Sequence, residues 1–126
     1  MNNPLTGKTI LIAEDEEMNF TLLNEIFKKR GMTIVKAVTG TEAVDQFLKH
    51  KDTIDIILMD IKMPEKNGYD ATREIKAVKK DVPVIAQTAY AMSGEKDLST
   101  EAGCDAYITK PVIIKELIDL VIKLLK

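Results

Sequence analysis

The chain alternates short apolar runs with stretches whose apolar residues recur at helical spacing. Continuous apolar runs of four to eight residues favour strands, and apolar positions three and four residues apart favour helices with one buried face. The strands predicted in this way are Lys8–Ala13, Ile34–Val38, Ile54–Met59, Val82–Gln87 and Asp105–Thr109. A helix is predicted after each strand. This fivefold alternation indicates a parallel sheet with right-handed crossovers and helices on both faces.

The same spacing predicts which helical residues face the core. Gly31 and Gly103 are natural stop signals for the first and fourth helices, and Thr41 is a candidate cap for the second. The third, fourth and fifth helices are predicted over Asp70–Val78, Ala91–Ala102 and Lys115–Leu125. The inward residues expected, helix by helix, are Met18, Leu22, Leu23, Ile26 and Phe27; Ala43, Val44, Phe47 and Leu48; Ala71, Ile75 and Val78; Met92 and Leu98; and Leu117, Ile118, Val121, Ile122 and Leu125.

Composition narrows the class of protein. The 126 residues are 45% hydrophobic and 30% charged, which is typical of one globular domain. A net charge of −2 gives no general attraction to nucleic acids or membranes, and no apolar run is long enough to span a bilayer. Met1–Lys8 lacks the apolar core of a signal peptide, so we expect a cytoplasmic protein with a flexible lead-in over 1–7 and one domain over 8–126. Cys104 and His50 are each the only residue of their type, which argues against a disulfide, a cysteine zinc cluster or His-based nucleophilic catalysis.

Polar side chains with matching chemistry follow the predicted strands. Glu14 and Asp15 follow the first strand, Asp60 the third and Lys110 the fifth, and Thr88 follows the fourth. In open parallel sheets the carboxyl ends of strands meet in one crevice. Three carboxylates brought together there would need compensation, which Mg²⁺ with its oxygen ligands supplies, and Lys110 adds a further positive charge. Such a site would hold a phosphoryl group against Asp60.

Each of these residues also has an ordinary explanation when it is taken alone. Acids before a helix, such as Glu14 and Asp15, are favoured by capping and by the helix dipole. Asp60 and Lys110 could be solvated charges, and Thr88 a plain strand end. The joint pattern, in this order along the chain, is much more specific than any of its members.

The pattern resembles a known family. The residues Glu14-Asp15, Met59–Pro64 with Gly68, Thr88-Ala89 and Lys110-Pro111 are similar to the motifs of bacterial response-regulator receiver domains, and the resemblance extends from about Lys8 to the end of the chain. It implies an α/β, flavodoxin-like fold: a doubly wound five-stranded parallel sheet in the order 2-1-3-4-5 with five helices.

The resemblance also implies a metal site and a phosphoacceptor. Asp60 would be the phosphoacceptor. Asp15, Asp60 and the main-chain carbonyl of Lys62 would bind Mg²⁺ or Mn²⁺. Glu14, where the family often has Asp, would act on the metal through water. Lys110 would contact a phosphoryl oxygen, and its peptide bond to Pro111 is similar to one that is cis in this family.

A conformational switch is implied as well. Thr88 would move toward the phosphoryl group with the Thr88–Tyr90 loop, and Tyr107 would swing inward. The surface of the fourth helix, fifth strand and fifth helix would then change. Lys62 and Tyr90 would border the path of attacking water and tune the lifetime of the phosphoryl group.

The implied function is a phosphoacceptor signalling domain of a two-component system. The donor would be a phosphohistidine on a sensor histidine kinase or a histidine phosphotransfer protein, with no direct contact to nucleic acid or membrane. The protein would be no enzyme beyond assisting its own phosphorylation and dephosphorylation. It could be a free-standing regulator or part of a hybrid histidine kinase. The sequence of Gln87–Met92 resembles that of receiver domains in hybrid kinases.

Three other classes of protein are alternatives to this one. An aspartyl-phosphate phosphatase of the haloacid-dehalogenase type would need a second acid two residues after Asp60, where the chain has Lys62. A flavin- or nucleotide-binding module would need a phosphate-cradling loop after the first strand, but Glu14–Glu17 repels phosphate. A receiver that docks partners without accepting phosphate stays open.

Overall fold

Five strands alternate with five helices in the computed structural model, which describes residues 4–88 and 95–125. The strands are β1 (Thr9–Ala13), β2 (Thr33–Ala37), β3 (Ile56–Asp60), β4 (Val84–Thr88) and β5 (Ala106–Thr109). The helices are α1 (Glu17–Lys28), α2 (Gly40–Lys49), α3 (Gly68–Val78), α4 (Glu95–Ala102) and α5 (Ile114–Leu124). At the majority of strand ends, the predicted bound differs from the observed one by one or two residues. The predicted start of the fourth helix, Ala91 with Met92, lies outside the described residues.

All neighbouring strands are parallel, in the order β2-β1-β3-β4-β5. The predicted doubly wound α/β fold with strand order 2-1-3-4-5 is therefore confirmed. Every residue of β1, β3 and β4 is buried, whereas β2 and β5 at the edges are partly exposed. Because helices cover both faces of the central strands, the sequences of these strands are unbroken apolar runs.

Alternate residues along each central strand face different helices. Ile12, Leu58 and Ile85 pack with buried residues of α1 and α5, and we call this side of the sheet the α1/α5 face. Leu11, Ala13, Ile57, Met59 and Val84 pack with residues of α2 and α3, and we call this side the α2/α3 face. The two-residue period of a strand thus divides the core into two layers.

Several predicted inward positions on the helices are wrong. The residues concerned are exposed to between 44% and 83%, namely Met18, Leu22, Leu48, Val78 and Leu98. Phe20 is buried instead, and it was not predicted. Ile118, Ile122 and Leu125 are partly buried against the α1/α5 core.

The ends of the first two helices differ from the prediction in detail. The cap of α2 is Thr39, whose side chain accepts a hydrogen bond from the Glu42 N–H at 2.9 Å, and not Thr41. Helix α1 ends at Lys28, and Gly31 lies beyond it with a φ of 85°. That conformation suits glycine, which lacks a Cβ.

The described part of the lead-in packs on the domain. Leu5 is fully buried in the α1/α5 core, and the Gly7 N–H donates to the Gly31 carbonyl at 3.0 Å. These contacts tie residues 4–7 to the domain, and the flexibility expected of the lead-in over 1–7 stays a prediction. Within the described ranges, none of the helices combines the length and apolar character needed to cross a membrane.

Candidate functional site

Strand register brings three of the predicted polar residues, Glu14, Asp60 and Lys110, to one place together with Gln87. On each strand, a row of apolar side chains packs on the α1/α5 face, and the polar residue lies two positions after the last apolar member of that row. Those apolar members are Ile12, Leu58, Ile85 and Ile108. Because side chains two apart on a strand share a face, Glu14, Asp60, Gln87 and Lys110 all follow on that face at the carboxyl edge of the sheet.

Lys110 bridges the two buried acids. Its Nζ lies 3.1 Å from Asp60 Oδ2 and 3.1 Å from Glu14 Oε1. Glu14 is 1% exposed and Asp60 4% exposed, whereas the Lys110 side chain retains 22% exposure. The site therefore has two buried acids joined by the ammonium group of a lysine whose side chain is partly open to solvent.

Asp15 completes a group of three carboxylates. One oxygen each from Glu14, Asp15 and Asp60 lies within 4.8 Å of the others, and Asp15 is exposed. Hard oxygen donors beside solvent fit Mg²⁺, which usually takes one or two carboxylates and keeps several waters, so two of the three acids are enough to hold it. Near them, the Lys62 N–H donates to Asp60 Oδ1 at 3.2 Å. The role expected for the Lys62 carbonyl stays a prediction.

Burial and crowding shift the proton equilibria of the site. Burial raises the pKa of Asp60 to about 7, and the Glu14 carboxylate adds to the rise through a shared hydrogen bond and through repulsion. Burial acts on Glu14 in the same sense, but its hydrogen bonds with Asp60, Asn19 and the Glu16 backbone outweigh it, so the pKa of Glu14 is lowered. Burial alone would lower the pKa of Lys110, yet the two acids raise it. Without a cation, Asp60 is partly protonated near neutral pH, and a cation that binds the carboxylates would displace this proton.

Two further residues contact the site that the sequence did not single out. Gln87 Nε2 donates to Glu14 Oε1 at 3.0 Å, and Asn19 Nδ2 donates to the same oxygen. The available signal for Gln87 was a polar residue in line with the apolar Ile85. Asn19 offered only its place in the first turns of α1.

The residues expected to form the switch lie on the opposite side of the sheet. Thr88 is 1% exposed and, by the alternation of side chains along β4, lies on the face opposite Gln87. Ala86, two residues before it, belongs to a separate small cluster with Ile61, Tyr69 and Ala102, against which Tyr107 packs. The Lys110 N–H donates to the Thr88 carbonyl at 2.7 Å, and the Lys110–Pro111 peptide is cis, as expected. Tyr90, the other residue of the predicted moving loop, lies outside the described residues.

Gly68 allows the loop after β3 to close against the site. A Cβ added to Gly68 would lie 2.2 Å from the Asp60 carbonyl oxygen, far inside contact distance. The Gly68 N–H donates to the Ile61 carbonyl at 2.9 Å, and Asn67 caps α3 through the Asp70 N–H. The glycine of the motif is therefore needed for close packing of α3 behind Asp60.

Comparisons with known proteins agree with this geometry. The family model for the response regulator receiver domain matches residues 10–122. The polar-differentiation response regulator DivK of Brucella ovis is 36% identical over 114 residues, which cover 89% of this chain and 91% of DivK.

Two solved structures extend the comparison. The receiver domain of a sensor histidine kinase of Pseudomonas aeruginosa, with a magnesium ion coordinated in its active-site cleft, is 33% identical with a TM-score of 0.85, covering 95% of this chain and 98% of that one. A chain of the CheX–CheY complex with BeF3 and Mg²⁺ from Borrelia burgdorferi is 27% identical with a TM-score of 0.89, covering 94% and 90%. With this fold, this site and these relatives, the chain belongs to the response regulator receiver domain family of two-component systems.

Proposed function

We propose that this receiver domain accepts a phosphoryl group on Asp60 from a phosphohistidine of a sensor histidine kinase or a histidine phosphotransfer protein. The observation that carries the proposal is the contact of Asp60 with Lys110 at 3.1 Å, inside a group that also holds the carboxylates of Glu14 and Asp15. This arrangement pairs a nucleophile with positive charge and with oxygen donors for a cation.

The chemistry needs little beyond position and charge. An Asp60 carboxylate oxygen forms a bond to phosphorus, the phosphorus–nitrogen bond of the phosphohistidine breaks, and its electron pair returns to the imidazole. The product is an acyl phosphate on Asp60. Phosphoryl transfer depends on in-line positioning and on neutralising the phosphoryl oxygens, and Lys110 is placed to neutralise one of them.

The carboxylates define where a divalent cation would bind. Asp15, Asp60 and the Lys62 carbonyl would hold Mg²⁺ or Mn²⁺, with Glu14 acting through water. When bound, the cation supplies positive charge that keeps Asp60 ionised and offsets the charge of the phosphoryl oxygens. The magnesium ion in the active-site cleft of the Pseudomonas aeruginosa receiver domain supports this assignment.

We expect the signal to reach an output partner through residues at the same carboxyl edge of the sheet. We expect Thr88 to approach the phosphorylated Asp60 and Tyr107 to follow it, changing the surface formed by α4, β5 and α5. A groove of about 430 Å³ on this surface is lined by Tyr107, Val112 and Leu120, among others. An apolar groove beside the proposed switch gives an output partner a place to bind.

No separate catalytic turnover is proposed, because the acyl phosphate is the signal and not an intermediate for another substrate. The domain assists only its own phosphorylation and dephosphorylation.

Labelling with acetyl phosphate tests the proposal. We expect the intact mass to increase by one phosphoryl group when Mg²⁺ is present and to stay unchanged without it. Asp60→Asn should remove the increase and keep the fold, as judged by circular dichroism. Asp52→Asn is the matched control, because Asp52 is exposed on the turn after α2.

Two outcomes of the labelling experiment would contradict the proposal. Equal labelling of Asp60→Asn would place the acceptor elsewhere and overturn the mechanism. A folded wild-type chain that gains no mass with Mg²⁺ would instead favour a receiver that only docks partners.

A further inference from the structure

Gln87 makes an unusual set of contacts for a buried strand residue. It is fully buried in β4 and pairs in register with Asp60 of β3. Its side chain lies on the α1/α5 face, in line with Ile85, and its Nε2 donates to Glu14 Oε1 at 3.0 Å. Because an ionised carboxylate only accepts hydrogen bonds, the amide nitrogen and not the amide oxygen must face Glu14.

The other end of the amide has no comparable contact. Within residues 4–88 and 95–125, Gln87 Oε1 is buried without a hydrogen-bond partner. A buried acceptor that lacks a partner destabilises a fold, so an apolar side chain of similar shape would suit the sheet better. The contact with Glu14 is therefore the feature of Gln87 that core packing does not explain.

Glu14 is held from several directions at once. Its Oε1 accepts from Gln87, Asn19 and Lys110, and its Oε2 accepts from the Glu16 backbone N–H at 3.2 Å. A carboxylate offers about two lone-pair directions on each oxygen, so the three donors saturate Oε1, whereas the single donor leaves one direction open on Oε2. A carboxylate so engaged keeps one orientation, and the open direction on Oε2 can accept a hydrogen bond from metal-bound water.

We propose that Gln87 and Asn19 are positioning residues that clamp the Glu14 carboxylate beside Asp60 and so set the affinity of the carboxylate group for a divalent cation. The clamp leaves direct coordination to Asp15 and Asp60 and assigns Glu14 to orienting bound water. This inference rests on the proposed function and adds residues to its site. Groups that orient the ligands of a metal, as Glu14 would orient bound water, typically change the affinity by about 10- to 100-fold when they are removed. Because Gln87 acts through Glu14, we expect its loss to lie at the lower end of that range, about tenfold.

The primary test is Gln87→Met in the full chain, measured by Mn²⁺ binding. Methionine keeps the length and most of the volume of glutamine but cannot donate to Glu14. We expect Mn²⁺, followed by the electron paramagnetic resonance of the free ion, to bind about tenfold more weakly. Competition with Mg²⁺ should show the same loss. The thermal unfolding midpoint should change little, because loss of the hydrogen bond to the buried carboxylate and removal of the buried unpaired oxygen act in opposite directions.

Ser99→Ala is the matched control. The Ser99 hydroxyl is also buried without a partner in the described ranges, but it lies in α4 and not at the carboxylate group. Its removal should raise the midpoint or leave it unchanged and should not alter Mn²⁺ affinity. A purely structural role for Gln87 predicts the same behaviour for both variants.

A double-mutant cycle shows whether Gln87 acts through Glu14. In a Glu14→Gln background, Gln87→Met should produce no further loss of Mn²⁺ affinity, since the carboxylate that it positions is absent. Asn19→Ala, at a half-buried position, should weaken Mn²⁺ binding in the same direction, and it carries the test if Gln87→Met does not fold.

The outcomes separate the clamp from the proposed function. If the wild-type chain binds Mn²⁺ and is labelled on Asp60, but Gln87→Met binds Mn²⁺ equally well, the clamp is overturned and the proposed function stands. An equal loss in both backgrounds overturns the clamp as well. If the wild-type chain binds no Mn²⁺ and is not labelled, both proposals are overturned.

Discussion

Asp60→Asn is predicted to stabilise the metal-free fold, and to stabilise it more at high pH than at low pH. Burial and the Glu14 charge raise the pKa of Asp60 from its ordinary value of 3.8 to about 7. The folded chain therefore holds this proton more tightly than the unfolded chain. The resulting contribution to stability is fully present below pH 3.8 and is lost as the pH rises through about 7.

The size of the effect follows from the shift. Each pKa unit corresponds to about 1.4 kcal/mol, so the rise of about three units amounts to roughly 4 kcal/mol between the two limits. Asparagine has the shape of the protonated acid, and its amide can donate to Glu14 as that acid does. The stabilisation by Asp60→Asn should therefore grow by about 3 kcal/mol between about pH 5 and pH 8. For a domain of this size that corresponds to roughly 10 °C in the unfolding midpoint.

Urea and thermal unfolding in a chelator, followed by far-ultraviolet circular dichroism, would measure this difference across the pH range. Asp52→Asn, which removes a carboxylate at an exposed position outside the site, is the matched control. Saturating Mg²⁺ should reverse the order of wild type and Asp60→Asn, because ligand binding stabilises only the chain that retains the site. If the wild-type and Asp60→Asn stabilities stay parallel from about pH 5 to pH 8, the buried acid does not titrate as the geometry requires.

Two further substitutions test the positive charge and the close packing of the site. Lys110→Met should slow labelling by acetyl phosphate by about 100-fold or more, because it removes charge that stabilises the transferring group, and an unchanged time course of intact mass would contradict this. Gly68→Ala should destabilise the fold by about 1–3 kcal/mol in urea unfolding and slow labelling, because its Cβ would meet the Asp60 carbonyl oxygen at 2.2 Å; wild-type values for both would refute the packing argument.

The sequence predicted those parts of the fold that depend on local pattern. Unbroken apolar runs marked β1, β3 and β4 because both faces of these strands are covered. Helical spacing found the centres of the buried stripes but not their width, which depends on how far neighbouring elements reach. Met18 and Val78 satisfy the helical spacing and are still exposed. Phe20 was not predicted to face inward, yet it is buried in the α1/α5 core.

The candidate site was predictable to a similar extent. Glu14, Asp60 and Lys110 stand out because each breaks an apolar pattern at the end of a strand. Gln87 does not, because one polar residue near a strand end has many explanations. Its role depends on contact with Glu14, which is 73 residues away and is brought near only by the register of β1, β3 and β4.

The register that builds the core also places the buried acids where a change of charge should alter stability. Glu14, Asp60 and Gln87 occupy positions where the α1/α5 face could have continued with apolar residues, and all three are buried. Polar groups in such positions lower stability unless their charges and hydrogen bonds are satisfied. A ligand that neutralises the acids, or a phosphoryl group that adds charge beside them, therefore changes the balance strongly. Because Lys110 contacts both acids and its N–H donates to the Thr88 carbonyl at 2.7 Å, that change has a short covalent and hydrogen-bonded path to the edge of β4 and β5.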